Sequence, residues 1–512
     1  MPFHSILSQE SDEGTEKHAH EDPSVLGDLN LDQTIDAITA DWKEYDLSPF
    51  YYARLKDLNA ITYRQEVVRD LEDRPLLQVV KTFSERMRVM REYLAQGEKI
   101  HYYKYAMERR FLGAVEIYCE AVEGLSRELD ALDIRSRGLR AFRDYLAEYV
   151  CSPAFLELLA RMGKLLSDLL AAKYCLLLKN GSVTVRHYDG EGDYSIALEE
   201  TFEKFRHGSG GGFHIEIRKW EGMNHIEAQI QDRVALLYPG VFGALDSFFA
   251  EHGEYLDPAI ARFDREVQFY VAYLTYVGRF RSAGLSFCRP QLSQSSKAIS
   301  GNNAFDLALA KKLLDDKATV ITNDFFLAGA ERIFVVSGPN QGGKTTFART
   351  IGQLHYLACL GLPVPGSKAE LFVPDCLFTH FEHEEDITTL RGKLQDDLVR
   401  IRQILDAATP DSLIIINEMF SSTALKDAVF LSKKVMENIS ALDPLCVWVT
   451  FLDELASFNE KTVSIVSTVE PENPAVRTFK LERRRADGLA YALAIAQKYR
   501  VTYAWLKERI KA

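Results

Sequence analysis

The chain of 512 residues and 58.1 kDa is long enough for two or more domains with substantial cores, so it has no need of disulfide staples. Its seven cysteines are scattered, odd in number and without a C-x-x-C pair, which favours reduced thiols in a cytoplasmic protein. A net charge of −13 and a pI near 5.5 exclude a surface coated in positive charge, and no segment has the length and freedom from charge of a membrane span; a local basic groove is compatible with both.

Residues 1–24 are polar, acidic and histidine-containing without apolar periodicity, and read as a disordered tail. His18 and His20 within it lack further ligands at metal spacing. From Val25 to about Leu170 the pattern is helical. Leu31, Ile35, Ile38 and Trp42 form one face, and Leu76, Val80, Phe83, Met87, Met90 and Leu94 step by four and three in a heptad-like seam. Between Lys173 and Gln229 the texture changes. Asn180-Gly181 between two β-prone runs signals a hairpin, and HIEIRKW after HGSGGG predicts a further strand, giving a small β-rich element near 173–229. Its Arg186, His187, Lys204, Arg206, His207, Arg218, Lys219 and Trp220 are candidates for phosphate contact and stacking. Asp189, Glu191 and Asp193 lie among them, so an ordinary mixed-charge surface fits equally well. Helical periodicity resumes at Ile260, Phe263, Val267, Tyr270, Leu274 and Val277, and 290–303 reads as a linker.

Residues 304–512 have α/β texture. Apolar runs at Ala318–Ile321, Ile333–Val336, Leu413–Ile416, Leu445–Val449 and Val463–Val466 alternate with helical patterns such as Leu394–Ile404 and Leu425–Ile439. That order predicts a largely parallel, helix-covered sheet with ligands at its strand ends. Directly after Ile333–Val336, Gly338-Pro339-Asn340-Gln341-Gly342-Gly343-Lys344-Thr345 fits G-x-x-x-x-G-K-[ST], and Phe347, Ile351, Leu354 and Ala358 then recur at helical spacing. Strand, glycine-rich turn and helix together form a phosphate cradle: backbone N–H groups converge, and the helix N-terminus adds partial positive charge. Lys344 is placed to neutralise the outer phosphates and the Thr345 hydroxyl to ligate Mg2+. The strand Leu413–Ile416 then ends in Asn417-Glu418, supplying a carboxylate.

GPNQGGKTT, with its Pro339-Asn340 and double glycine, resembles the P-loop of the MutS family of DNA mismatch-repair ATPases, relatives of the ABC-type ATPases. TNDFFL before it, LFTHFEHEED at Leu377–Asp386, INEMFSSTALKDA, VTFLDEL at Val449–Leu455 and the closing ADGLAYALAIAQKYRVTYAWLKERI agree in order and spacing. The likeness covers about Phe287 to Ala512. Upstream, RQEVVRDLED at Arg64–Asp73 and the long helices are similar to the family's core, lever and clamp region at the level of fold. The resemblance implies an α/β P-loop ATPase domain, MutS- or ABC-like, preceded by a mainly helical core and lever region over 25–289 whose β-rich element is clamp-like.

The same resemblance implies roles. Gly338 to Thr346, including Thr346 itself, would hold ATP, with Lys344 on the phosphates. Thr345, and Asn417 through water, would hold Mg2+, while Glu418 would be the general base that orients the attacking water. Ile321 and Asn323 fall where the family surrounds the base. Gly392, Lys393, Gln395 and Asp397 occupy the signature segment that touches ATP held by a partner subunit, and Ser421, Ser422 and Thr423 the loop that communicates across a dimer. A homodimer with two composite sites follows, with DNA as cargo, in mismatch repair or a related repair or recombination process.

Three departures bear on rate. Asn417 stands where the family has Asp, Phe451 replaces a switch His, and Gly392 stands where Ser is usual. Each removes a polar group of a kind typically worth about 2.7–4 kcal/mol in a transition state, so slow hydrolysis is expected. Only the short tail precedes the helical region, which is expected to lack the mismatch-reading and connector domains. A second reading is an ATP-binding switch or interaction protein with little hydrolysis, whose helical arms hold a protein cargo.

Overall fold

The computed structural model describes residues 3–9, 23–190, 192, 224–382, 392–470, 472–486 and 502–511. Two compact units divide the chain. One comprises Pro75–Ile134 with Ala141–Asp264; the other comprises Phe3–Arg74, Arg135–Arg140 and Arg265–Ala512. The helical region expected over 25–289 is thus shared between them rather than forming one domain.

In chain order the helices are α1 (Pro23–Asp28), α2 (Leu31–Thr39), α3 (Ser48–Tyr52), α4 (Leu58–Leu71), α5 (Arg74–Lys99), α6 (Lys104–Asp130), α7 (Arg137–Val150) and α8 (Pro153–Ala171). The hairpin β1 (Tyr174–Lys179) and β2 (Ser182–His187) follows, then α9 (His225–Leu237), α10 (Pro239–Glu251) and α11 (Pro258–Ser282). In the smaller unit the predicted seam is real: Leu76, Val80, Phe83, Met87 and Met90 are buried along α5. Phe263 closes that core, stacked on Phe142 at 3.6 Å and tilted against Phe83 at 6.0 Å. The hairpin turns at Asn180 (φ 50°) and Gly181 (φ 75°), two consecutive left-handed residues of the kind that a tight two-residue turn requires. The further strand expected at HIEIRKW, with Lys204, Arg206, His207, Arg218, Lys219 and Trp220, lies outside the described residues. By His225 the chain is helical, started by an Asn224–Glu227 capping box.

The larger unit contains the mixed region. Its elements are β3 (Phe287–Cys288), β4 (Gln291–Ser293), β5 (Ile299–Ala304), α12 (Leu307–Asp315), β6 (Asn323–Leu327), β7 (Ile333–Ser337), α13 (Lys344–Cys359), β8 (Val364–Pro365), β9 (Lys368–Phe372), β10 (Leu377–His380), α14 (Lys393–Ala407), β11 (Leu413–Asn417), α15 (Leu425–Leu442), β12 (Leu445–Val449), β13 (Thr462–Glu470), β14 (Asn473–Arg483) and α16 (Tyr503–Lys511). The main sheet has the order β10-β11-β12-β7-β13-β14, parallel except for β14. Its central strands are buried, apart from half-buried Asn417 at the end of β11, because their runs are apolar on both faces, as a helix-covered parallel sheet demands. A second sheet, β4-β9-β5-β6, lies in the same unit.

Three expectations are corrected. Residues 3–9 are no disordered tail: Phe3, Ile6 and Leu7 are buried. Glu266 accepts from Ser5 Oγ at 2.8 Å and from the Ile6 amide at 2.9 Å, while Tyr63 and Tyr270 donate to the carbonyls of Ser5 and Ile6. These partners satisfy an extended segment without any ladder. His18 and His20 lie outside the described residues. The 290–303 stretch is no linker, because β4 pairs with β9 and β5 with both β9 and β6. Its serines and asparagines suggested a loop, whereas long-range pairing decided. The strand expected at Ala318–Ile321 is irregular chain, and the strand falls on Asn323–Leu327, where Phe325 and Leu327 alternate into the core. Among the described residues no single helix is long and apolar enough to cross a membrane.

Candidate functional site

The apolar strand β7 delivers the chain into the loop 338–343, and α13 leads out of it. Gly338 (φ 112°), Gln341 (φ 59°) and Gly343 (φ 92°) take left-handed backbone that lets the loop fold back on itself. Gly342 cannot carry a side chain: a Cβ there would lie 2.1 Å from Ser467 Oγ and 2.9 Å from the Pro339 carbonyl. Ser467 Oγ instead donates to the Gly342 carbonyl at 2.8 Å, fastening the loop to β13. Arg477 Nε, on β14, donates to the Asn340 carbonyl at 3.2 Å.

Lys344 is 4% exposed, and its ammonium donates to Gly338 O (3.0 Å), Pro339 O (3.3 Å) and Asn340 Oδ1 (3.2 Å). Glu418 Oε1 lies 3.9 Å away. Burial pushes the lysine pKa down, Glu418 opposes that shift, and Arg477 adds to it. The cation is therefore held inside its own loop by acceptors that an entering anion would replace.

The strand β11 lies two places from β7 in the sheet and ends beside the head of α13. Thr345 Oγ1 donates to Asn417 Oδ1 at 2.9 Å. Glu418 follows in left-handed conformation (φ 53°), its amide bonded to Val449 O at 3.0 Å. Two adjacent hard oxygen donors, Thr345 and Asn417, suit a magnesium ion that keeps most of its water and takes phosphate. The glycine-lined loop suits the phosphate, since Gly338 and Gly342 leave no room for a Cβ. The residues present thus fit both groups.

The remaining predicted residues are placed unevenly. Ile321 is 37% exposed, as a base contact would need, but both ends of the Asn323 amide are occupied: it donates to Phe479 O at 3.1 Å and accepts from the Leu481 amide at 2.8 Å. Its observed task is to clip β14 to β6. Phe451 is 47% exposed and offers no polar atom. Gly392 caps α14, Lys393 pairs with Glu382, and Gln395 is exposed. Asp397, expected to face a partner's nucleotide, is buried and accepts from the Phe420 amide of its own chain at 3.3 Å. Helical spacing turns it inward, opposite to its exposed neighbour Leu398. Ser421 and Ser422 are exposed, and Thr423 is half-buried. Ser467 and Arg477 belong to no motif, Ser467 being only a polar interruption in an apolar strand, and His380, although within the LFTHFEHEED stretch, has no role that its spacing announces.

Comparison with known proteins agrees with this geometry. The family model described as MutS domain V matches residues 334–501. The chain is 31% identical to Endonuclease MutS2 of Thermus thermophilus over 186 residues, 35% of this chain and 24% of that protein. It is 25% identical to DNA mismatch repair protein MutS of Petrotoga mobilis over 217 residues, 41% of this chain and 26% of that protein. To DNA mismatch repair protein Msh3 of Mus musculus it is 26% identical over 152 residues, 30% of this chain and 14% of that protein. The matched stretches span roughly a quarter or less of these relatives' lengths. Over residues 334–501, about a third of its length, the chain is thus similar to domain V of the MutS family.

Proposed function

We propose that the chain binds Mg2+ and ATP, hydrolyses ATP slowly, and works as a homodimeric clamp on DNA in mismatch repair or a related DNA-repair or recombination process. The observation that carries this reading is the meeting of Lys344 and Thr345, at the head of α13, with Asn417 and Glu418, at the end of β11. The amides of the 338–343 loop and the Lys344 ammonium bind and orient the phosphates, with Lys344 exchanging its loop carbonyls for phosphate oxygens. Thr345 and Asn417 hold Mg2+, which when bound neutralises charge on the transferring phosphate. Glu418 orients the attacking water and accepts its proton. Asn417 brings no charge and Phe451 no hydrogen bond, so both keep turnover low. The curated names of two relatives, DNA mismatch repair proteins, support DNA as the cargo. Exposed Ser421, Ser422 and Gly392 fit a face that meets a second copy and its nucleotide.

The test is direct. Lys344→Ala should abolish ATP binding, and Glu418→Gln should preserve binding while blocking turnover; turnover unchanged in both overturns the reading. DNA binding should weaken with salt as phosphate contacts are screened and counterions return. No binding to duplex or branched DNA at low salt removes DNA from the account.

A further inference from the structure

The turn that carries Glu418 is held at both ends. Glu418 (φ 53°) and Phe420 (φ 62°) are both left-handed although neither is glycine, an uncommon backbone for bulky residues that survives only where neighbours enforce it. One constraint is the bond from the Glu418 amide to Val449 O. The other comes from α14: the Phe420 amide, on a fully buried residue, donates to Asp397 Oδ2 at 3.3 Å. Asp397 is itself 6% exposed, and His380 Nε2 lies 3.5 Å from its other oxygen, Oδ1. His380 is 1% exposed, and among the described residues neither of its ring nitrogens has a hydrogen-bond partner. A buried imidazole left unbonded is costly, and its place is fixed by β10, where it sits in register with Ile416 of β11. The ring therefore walls in the carboxylate on one side while the Phe420 amide takes the other. Burial holds the imidazole neutral and raises the Asp397 pKa.

We propose that Asp397 is a positioning residue for Glu418: from α14 it fixes the left-handed Glu418–Phe420 turn through the Phe420 amide, with His380 packed behind its carboxylate. This rests on Glu418 being the base of the ATPase reading above. It gives α14 a task within its own chain, in addition to any face it offers a second copy.

Asp397→Ala should lower the ATP turnover number by about tenfold, the equivalent of one well-placed hydrogen bond, while changing the dissociation constant for ATP by less than about twofold. Asp397→Asn keeps shape and acceptor oxygen and should restore turnover to within about threefold of wild type. Amide hydrogen exchange over 418–423 should speed up in the alanine variant and not in the asparagine variant. Equal exchange in wild type and Asp397→Ala overturns the proposal, as does an asparagine variant no better than alanine or a loss confined to ATP affinity. Should Asp397→Ala not fold, Asp397→Leu, which fills the site without an acceptor oxygen, carries the same comparison of turnover and exchange with wild type and with Asp397→Asn. Wild-type turnover no higher than that of Lys344→Ala overturns the ATPase reading instead, and the exchange experiment still decides whether Asp397 holds the turn.

Discussion

Thr345 Oγ1 and Asn417 Oδ1 stand 2.9 Å apart, joining the head of α13 to the end of β11 through a neutral acceptor. A carboxylate at 417 would hold both the hydroxyl and a metal-bound water by charge-assisted hydrogen bonds, about twice as strong as neutral ones. Asn417→Asp should therefore lower the Mg2+ concentration that half-saturates ATP binding by about tenfold, read by titrating Mg2+ at fixed nucleotide. An unchanged Mg2+ dependence would place the metal elsewhere.

Gly342 sets the fit between the phosphate loop and β13. An added Cβ meets Ser467 Oγ at 2.1 Å and Pro339 O at 2.9 Å, so the loop or the strand has to move. Gly342→Ala should cost about 1–3 kcal/mol of stability, as overpacking does, and weaken ATP binding. Combining it with Ser467→Ala removes the nearer atom but not the Pro339 carbonyl. The double variant should recover part of the loss, measured as a non-additive change in denaturant midpoint. Strict additivity would mean the two residues do not press on each other.

What was legible in the sequence was local. The glycines of 338–343, the lysine and threonine after them and the apolar strands on either side specify a loop whose geometry depends on its own residues. The Asn180-Gly181 hairpin was legible for the same reason. What was not legible depends on partners far along the chain. Nothing near Phe3–Leu7 announces that Glu266 and Tyr270 will receive that segment, and nothing in the serine-rich 291–304 stretch announces β9. The family resemblance places Asn323 near the base and its surroundings, and nothing around it announces that β14, more than a hundred residues later, bonds to its amide. The resemblance gives Asp397 only its segment, and its inward direction depends on where Phe420 lies.

Gln353 ties the N-terminal helices to α13, the helix that leads out of the glycine-rich loop. It is fully buried on α13, donates to Leu29 O at 2.8 Å and accepts from the Leu307 amide at 2.8 Å. Gln353→Leu should cost about 1–3 kcal/mol for each backbone group left without a partner, and hydrogen exchange over 23–39 should quicken. An unfolding free energy changed by less than about 0.5 kcal/mol would show that water or a rearranged loop replaces both bonds.

Two buried histidines should make the protein acid-sensitive. His355 on α13 and His380 on β10 are 0% and 1% exposed, and burial pushes both imidazoles down to about 4 from an ordinary 6.5. The unfolded chain then binds protons that the folded chain refuses. The stabilising contribution is complete above pH 6.5, is lost as pH falls from 6.5 towards 4, and for these groups loses nothing more below about 4. Each histidine contributes up to about 3 kcal/mol of that slope. Glu108 acts in the opposite direction, because burial and the neighbouring Asp246 carboxylate push its carboxyl up to about 7, so protonation between 7 and 4.5 favours the folded state. The informative measurement is therefore the difference in denaturant midpoint between wild type and His355→Leu, and separately His380→Leu, followed from pH 8 to pH 4. Each leucine variant should lose less stability than wild type across pH 6.5 to 4; parallel curves would mean that the histidines are protonated as readily folded as unfolded.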